Sequence, residues 1–168
     1  MSYNNLSLFS FPGAGPFVEW ERMQIVDLGN MRWREAYAIQ QQAHEKVLRG
    51  GEETIFVVEH PHVITLGRQT EVSLRNVRYP KEELAAAGID VEESDRGGNV
   101  TYHGPGQVVC YPIVRLAEHR LTVGKYVRTL QDAVVDCLGR CMVKGVIDSQ
   151  ELHLLIMYGH GVILYISS

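Results

Sequence analysis

A chain of 168 residues, 45% hydrophobic and 21% charged, fits one soluble globular domain with room for a working core. Its net charge of -4, with Lys and Arg scattered singly, supplies no basic footprint for nucleic acid. Cys110, Cys137 and Cys141 form no framework of spaced pairs, which argues for a reducing compartment over a secreted disulfide scaffold.

Residues 1–23 read as a flexible N-terminal extension. Met1 to Trp20 is a run of Ser, Asn, Gly, Pro and Phe without a basic start or an apolar stretch, so it is no secretory signal. It also lacks Arg and carries Glu19, unlike a mitochondrial presequence. Gln24 to Leu28 is predicted as a strand closed by Gly29-Asn30. A helix follows over Trp33 to Leu48, where Ala36, Ile39, Ala43 and Val47 recur at three- and four-residue spacing, and Gly50-Gly51 stops it. Thr54 to Glu59 is β-branched and aromatic, predicting a strand covered on both faces. His60-Pro61-His62 breaks it. With no third ligand at metal spacing, these histidines read as a structural turn. Val63 to Leu66 resumes as a second strand, or as an extended approach to Gly67-Arg68. Pro80 opens a short helix over Lys81 to Ala87 with Gly88 as its stop, and Ile89 to Glu92 is a half-exposed strand.

The most specialised stretch is Arg96-Gly97-Gly98-Asn99-Val100-Thr101-Tyr102-His103-Gly104-Pro105-Gly106-Gln107. Glycine removes the Cβ that keeps a backbone away from a ligand, so Gly97-Gly98 can pass close to a bound molecule. On residue types alone two readings stand side by side: a hairpin with Gly-rich turns, and a substrate wall with Arg96 and His103 as its polar contacts. Val108 to Val114 is a further apolar strand, in which Pro112 belongs at an edge, a bulge or a strand end. Thr122 caps a helix whose stripe runs through Val123, Tyr126, Val127, Leu130, Ala133, Val134, Cys137 and Leu138 and ends at Gly139. Cys137 and Cys141, four apart, share a face of that helix and read as small core residues.

These elements make one α/β or α+β domain, a mixed β-sheet packed with helices, over residues 24–138. The apolar stretch Leu152 to Ile166 is interrupted by His153, Gly159, His160 and Gly161 and falls short of a membrane span of ~20 residues. Its halves, Leu154 to Tyr158 and Val162 to Ile166, can pair as a hairpin. A cytoplasmic location follows by elimination.

Arg96 to Gln107, with Val108, Tyr111 and Pro112 behind it, resembles the signature of the lipoyl(octanoyl) transferases, the LipB family. Glu59 to Arg68 resembles the family's earlier strand and turn, and Leu28 through Tyr37 to Gln41 its first helix. The resemblance implies a biotin/lipoate protein ligase-like fold. It also implies transfer of an octanoyl group from acyl carrier protein to a lysine of a lipoyl domain, of a 2-oxoacid dehydrogenase or the glycine cleavage H protein. No nucleotide or other cofactor is implied, because the incoming thioester is already activated, and no membrane or nucleic acid partner. Arg96, Gly97, Gly98, Asn99, Val100, Thr101, Tyr102 and His103 match the family's substrate-binding segment. In that role Gly97 and Gly98 let the backbone approach the acyl chain, Val100 adds apolar wall, and His103 with nearby amides orients the thioester carbonyl.

The family also calls for a lysine and, in a Pro-Cys-Gly context, the cysteine that takes up the acyl group. Neither is identified here. The chain instead continues Cys141-Met142-Val143-Lys144-Gly145, and His160-Gly161 lacks the neighbours of the family's His-Gly segment. A lysine near a thiol favours thiolate, which makes Cys141 with Lys144 a weaker replacement pair. Cys110 reads as a buried strand residue. Residues 139–168 are a divergent tail of uncertain origin, leaving the domain C-terminally incomplete and its catalysis impaired. The tail is expected to cover an apolar sheet edge or leave it open to association. A non-catalytic acyl- or lipoyl-domain-binding module, or an inactive fragment, is the alternative.

Overall fold

The computed structural model describes residues 23–141, 152–157 and 161–166, with side chains from 23 to 133. In chain order its elements are β1 (Gln24–Asn30), α1 (Trp33–Leu48), β2 (Thr54–Glu59), β3 (Val63–Leu66), α2 (Thr70–Leu74), α3 (Lys81–Ala86), β4 (Asp90–Glu93), β5 (Val100–His103), β6 (Val109–Ile113), α4 (Val123–Cys141), β7 (Leu152–Met157) and β8 (Gly161–Ile166). The mixed α+β class expected from the sequence is observed. The strands, however, divide into two sheets, ordered β1-β2-β6-β8-β7 and β4-β3-β5.

Helix α1 has the bounds its periodicity predicts. A helix of 16 residues is marginal by itself in water, so packing holds it. Ala36 and Val47 are buried, with Ile39 and Ala43 partly so, against Phe56 and Val58 of β2 and Val109, Tyr111 and Ile113 of β6. Each large apolar side chain fully buried there contributes about 1.5–3 kcal/mol. Burial along β2 alternates: Thr54, Phe56 and Val58 are buried, while Ile55, Val57 and Glu59 are half-buried. The expected cover on both faces is therefore corrected. Helix α1 seals one face, and the other keeps partial access.

Strand β1 runs parallel to β2, and Gly29-Asn30 lies inside it instead of closing it, at a register shift between Asp27 and Asn30. The bulge is held by the Gly29 N–H donating to the Asp27 carboxylate at 2.8 Å. Antiparallel β6 follows β2, and β8 pairs with it through Val109–Ile163 and Cys110–Val162. Pro112, one residue from the end of β6, pairs with Ile55 of β2 and lies past the two described pairs with β8. The hairpin read from the sequence is present as β7–β8, beginning at Leu152, and it covers part of the β6 edge. Tyr158, Gly159 and His160 lie outside the described residues, as do residues 1–22 and Lys144. Met23, the last residue of the stretch read as an extension, is buried.

The break at His60-Pro61-His62 is where the chain leaves one sheet for the other. In the smaller sheet β3 is parallel to β4 and antiparallel to β5, pairing Thr65 with Thr101 and Val63 with His103. Its β4 side meets the start of α1 through Arg32–Asp90 at 3.6 Å and an Arg34–Glu92 ion pair. Burial raises the Tyr37 pKa, and the Asp95 carboxylate adds to the rise.

Pro80 and Gly88 bracket α3 as expected. Helix α2, five residues without an apolar repeat, was not legible as a helix. Thr122 accepts the Lys125 N–H at 3.3 Å and so caps α4, but the helix runs through Gly139 to Cys141. A single glycine costs a helix about 1 kcal/mol, too little to stop one by itself. Tyr126, Val127, Leu130 and Ala133 are half-buried while Val123 is exposed, so the stripe starts one turn later than predicted. Among the described residues no helix is long and apolar enough to cross a membrane.

A buried ionic knot ties the α1 end to the chain after β6. Glu53, 6% exposed, accepts from the Arg115 N–H and meets His119 Nε2 at 2.6 Å. Arg115 Nη1 donates to the carbonyls of Val47 at 2.8 Å and Gly51 at 2.6 Å.

Candidate functional site

The Arg96 to Gln107 stretch wraps the end of β3, and its loop is fixed by backbone contacts. Gly67 N–H donates to the Asn99 carbonyl at 2.7 Å and Arg68 N–H to the Arg96 carbonyl at 2.9 Å. The chains come so close that a Cβ on Gly67 would lie 2.2 Å from the Gly98 carbonyl oxygen. Gly98 itself adopts φ +80, a conformation other residues rarely take. Ser73 of α2, 1% exposed, holds this arrangement from outside: it accepts from Gly67 N–H at 3.2 Å and donates to the Asn99 carbonyl at 3.3 Å.

Arg96 turns inward. Its guanidinium donates to Thr65, from Nε to Oγ1 at 3.2 Å and from Nη2 to the carbonyl at 2.6 Å, and from Nη1 to the Gly97 carbonyl at 3.0 Å. These acceptors are neutral. Burial lowers the Arg96 pKa, and no carboxylate opposes that shift. An arginine still holds its proton at any ordinary pH, so a buried positive charge stands here with neutral partners.

His103 is 1% exposed, and among the described residues neither ring nitrogen has a hydrogen-bond partner. Burial, then the neighbouring His60, then Arg96 push its pKa down to about 3, so the ring is neutral. A neutral imidazole offers one donor and one acceptor, and leaving both unmade in a dry site is costly. Gln107, at the far end of the motif, likewise buries an Oε1 without a partner. Orphaned polar groups of this kind fit a site that is completed by a ligand.

The expected site residues divide by strand alternation. Thr101 and His103 share one face of β5 with their β3 partners Thr65 and Val63, and Arg96 reaches that face through Thr65. Val100 and Tyr102 share the other face. Tyr102 is 40% exposed and bonds to His62. Gly97 is half-buried, and Gly98 and Asn99 are exposed on the loop. The structure thus brings Arg96, Thr101 and His103 together and turns Val100 and Tyr102 away from them.

Two residues that the sequence reading left aside join the site from the larger sheet. His60, 0% exposed, stands nearly perpendicular to His103 at 5.7 Å between ring centroids, and Tyr111 bonds to His60 at 3.0 Å. The available signals were a histidine ending an apolar strand, and Tyr111 in phase with the inward Val109 and Ile113. Among the described residues no three His, Cys, Asp or Glu side chains group to hold a metal. Cys110 is a strand residue as expected, paired with Val57 in β6, but it is half-buried and not buried. Cys137 and Cys141 both lie on α4, but their side chains are outside the described residues, and the Cys141–Lys144 pairing is outside them too.

Solved structures similar to this fold are lipoate protein ligases. A bipartite lipoate protein ligase from Thermoplasma acidophilum matches with a TM-score of 0.51 at 17% identity, over 80% of this chain and 47% of that one. The LipL1 protein of P. falciparum in complex with lipoate matches with a TM-score of 0.53 at 12% identity, over 83% and 48%. At such identities the likeness concerns the fold. In sequence the chain is 44% identical over 115 residues to an octanoyltransferase of Deinococcus radiodurans, covering 68% of this chain and 33% of that protein. It is 42% identical over 116 residues to an octanoyltransferase of Nitratidesulfovibrio vulgaris, covering 69% and 52%. The chain therefore spans between a third and about half the length of these relatives. The family described as the lipoyl protein ligase A/B catalytic domain matches residues 32–161, a span that includes the whole Arg96 to Gln107 stretch and continues past Leu138. With most of its length inside that match, this chain belongs to the lipoyl protein ligase A/B catalytic domain family.

Proposed function

We propose that the chain is the acyl-binding part of a cytoplasmic octanoyltransferase of protein lipoylation, which takes octanoyl from acyl carrier protein and serves a lysine of a lipoyl domain. The observation that carries this reading is the unpartnered, buried His103 beside the buried guanidinium of Arg96. An acyl thioester carbonyl is an acceptor that gains negative charge when attacked. A neutral imidazole N–H and a nearby fixed cation are the groups that stabilise such an oxygen. Gly97 and Gly98 leave the loop without side chains where an acyl chain has to pass. Val100 lies on the face of β5 opposite His103.

In the family's chemistry a cysteine thiolate attacks the thioester carbonyl, the carrier thiol leaves, and the acceptor lysine amine then takes the acyl group from the cysteine. This sequence holds no match for the lysine or the Pro-Cys-Gly context of that step. The chain by itself is therefore a binder of the acyl group with impaired transfer.

Incubation with octanoyl-acyl carrier protein and an apo lipoyl domain, followed by intact mass measurement, tests the transfer. Saturable binding of octanoyl-pantetheine with little octanoylation is the expected result. Turnover equal to that of a full-length relative would sink the claim of impairment, and a mass adduct on Cys141 would make that residue the nucleophile. Arg96→Ala and His103→Ala should each weaken octanoyl-pantetheine binding about tenfold or more, the loss expected when a buried polar contact is removed. Unchanged affinity in both variants would move the acyl group elsewhere.

A further inference from the structure

His60 and His103 are buried side by side, yet one has both nitrogens engaged and the other neither. His60 Nδ1 lies 2.7 Å from the Met31 carbonyl, which can only accept, so Nδ1 carries the proton. Burial lowers the His60 pKa, with the Met31 bond a smaller opposing cause, so the ring is neutral and Nε2 is an acceptor. The Tyr111 hydroxyl, 3.0 Å away, must then donate to Nε2. The direction of both bonds is forced: Tyr111 to His60, His60 to Met31.

A second proton on His60 would reverse the Tyr111 bond. The hydroxyl would have to accept from His60, while its own proton lost that acceptor. The titratable and charged groups around His60 among the described residues are Tyr111, His103 and, beyond His103, Arg96. A charged His60 would bring a second cation against His103 and Arg96.

We infer that His60, locked in its Nδ1–H form by Met31 and Tyr111, is a positioning residue that holds the unpartnered His103 ring for the acyl carbonyl. This rests on the acyl-binding reading above and adds to it the residues that make His103 an effective donor. His103 has no hydrogen bond of its own to fix its ring, so the ring wall formed by His60 fixes it. The relay draws on the β1–α1 link, the residue after β2, and β6, so the site is set by the larger sheet although its ligand groups sit on the smaller one.

The test uses the whole chain with 15N-labelled histidine and octanoyl-pantetheine as the probe. Wild type should show His60 as the Nδ1–H tautomer at neutral pH, and the probe should shift the His103 nitrogens. Tyr111→Phe keeps the ring and removes the relay hydroxyl. It should weaken probe binding about tenfold, with the melting transition still cooperative. Its binding should also begin to decline at a higher pH than wild-type binding does on acidification, because the neutral His60 ring has lost the hydroxyl that donates to Nε2. His60 found in the other tautomer overturns the inference without needing any variant. So do equal affinity and an equal pH profile in Tyr111→Phe, with the acyl-binding reading left standing. No probe binding by wild type overturns that reading and this inference with it.

Discussion

Two buried polar clusters lie in this domain, and they differ in whether their bonds are complete. Around Glu53, the carboxylate meets His119 and the Arg115 N–H while the Arg115 side chain reaches two carbonyls and Glu118. Around Arg96, a guanidinium rests on neutral oxygens, and His103 has nothing to bond. The first cluster closes on itself and serves the architecture, tying the α1 end to the segment after β6. The second keeps buried polar atoms without partners among the described residues, as the proposed acyl site requires. Burial alone does not separate them, since Glu53 and Arg96 are both 6% exposed. The count of unmet partners does.

The largest expected effect breaks the closed cluster. Glu53→Ala strips His119 and the Arg115 N–H of their acceptor and should cost about 3 kcal/mol or more, as loss of one partner in a buried charged network does. Chemical denaturation would read it. A loss below about 0.5 kcal/mol, the size of a surface change, would show the knot to be ornamental. Octanoyl-pantetheine affinity of the folded fraction should be unchanged, which separates the two clusters.

Gly67→Ala acts on the open cluster through its loop. With 2.2 Å available between the new methyl and the Gly98 carbonyl, the Arg96–Asn99 loop has to move. We expect about 1–3 kcal/mol of destabilisation, typical of overpacking, together with weaker probe binding. Wild-type affinity in this variant would show that the loop does not shape the site.

The smallest effect is a slope. The folded His103 pKa is about 3, below the ordinary 6.5, so the unfolded chain binds more protons between those values. Stability is then fully present above pH 6.5 and lost as pH falls toward 3, by up to about 1.4 kcal/mol for each pH unit. His60, also held below its ordinary value, adds a slope of the same sign. His103→Gln should flatten the fall measured by denaturation at pH 7, 6 and 5. An unaltered slope would assign the acid sensitivity to other groups.

Much of the chain was legible because local rules decided it. Helix α1 follows from its apolar spacing, α3 from Pro80 and Gly88, and the β7–β8 hairpin from two apolar runs around Gly159 to Gly161. The site was legible as a composition, glycines around Arg96 and His103, but its division by face was not. That division depends on β5 lying beside β3, which the sequence does not announce. The split into two sheets was hidden for a similar reason, since β2 and β3 read as one interrupted strand pair. Tyr111 was hidden by its neighbours: among Val109, Pro112 and Ile113 it reads as one more core side chain, until His60 is placed against it.

The relay also sets when the site can exist during folding. Met31 and His60 are 29 positions apart, and His60 and Tyr111 are 51 apart, so the bonds that lock His60 close successively longer loops. Long-range closures of this kind form late, after local units such as β1–α1–β2 have repaid part of their entropy cost. A chain in which β6 has not yet docked therefore lacks the Tyr111 bond that locks His60. Protection of the site is a property of the final cooperative step, and amide exchange at His60 and Tyr111 should report global opening, not local fraying.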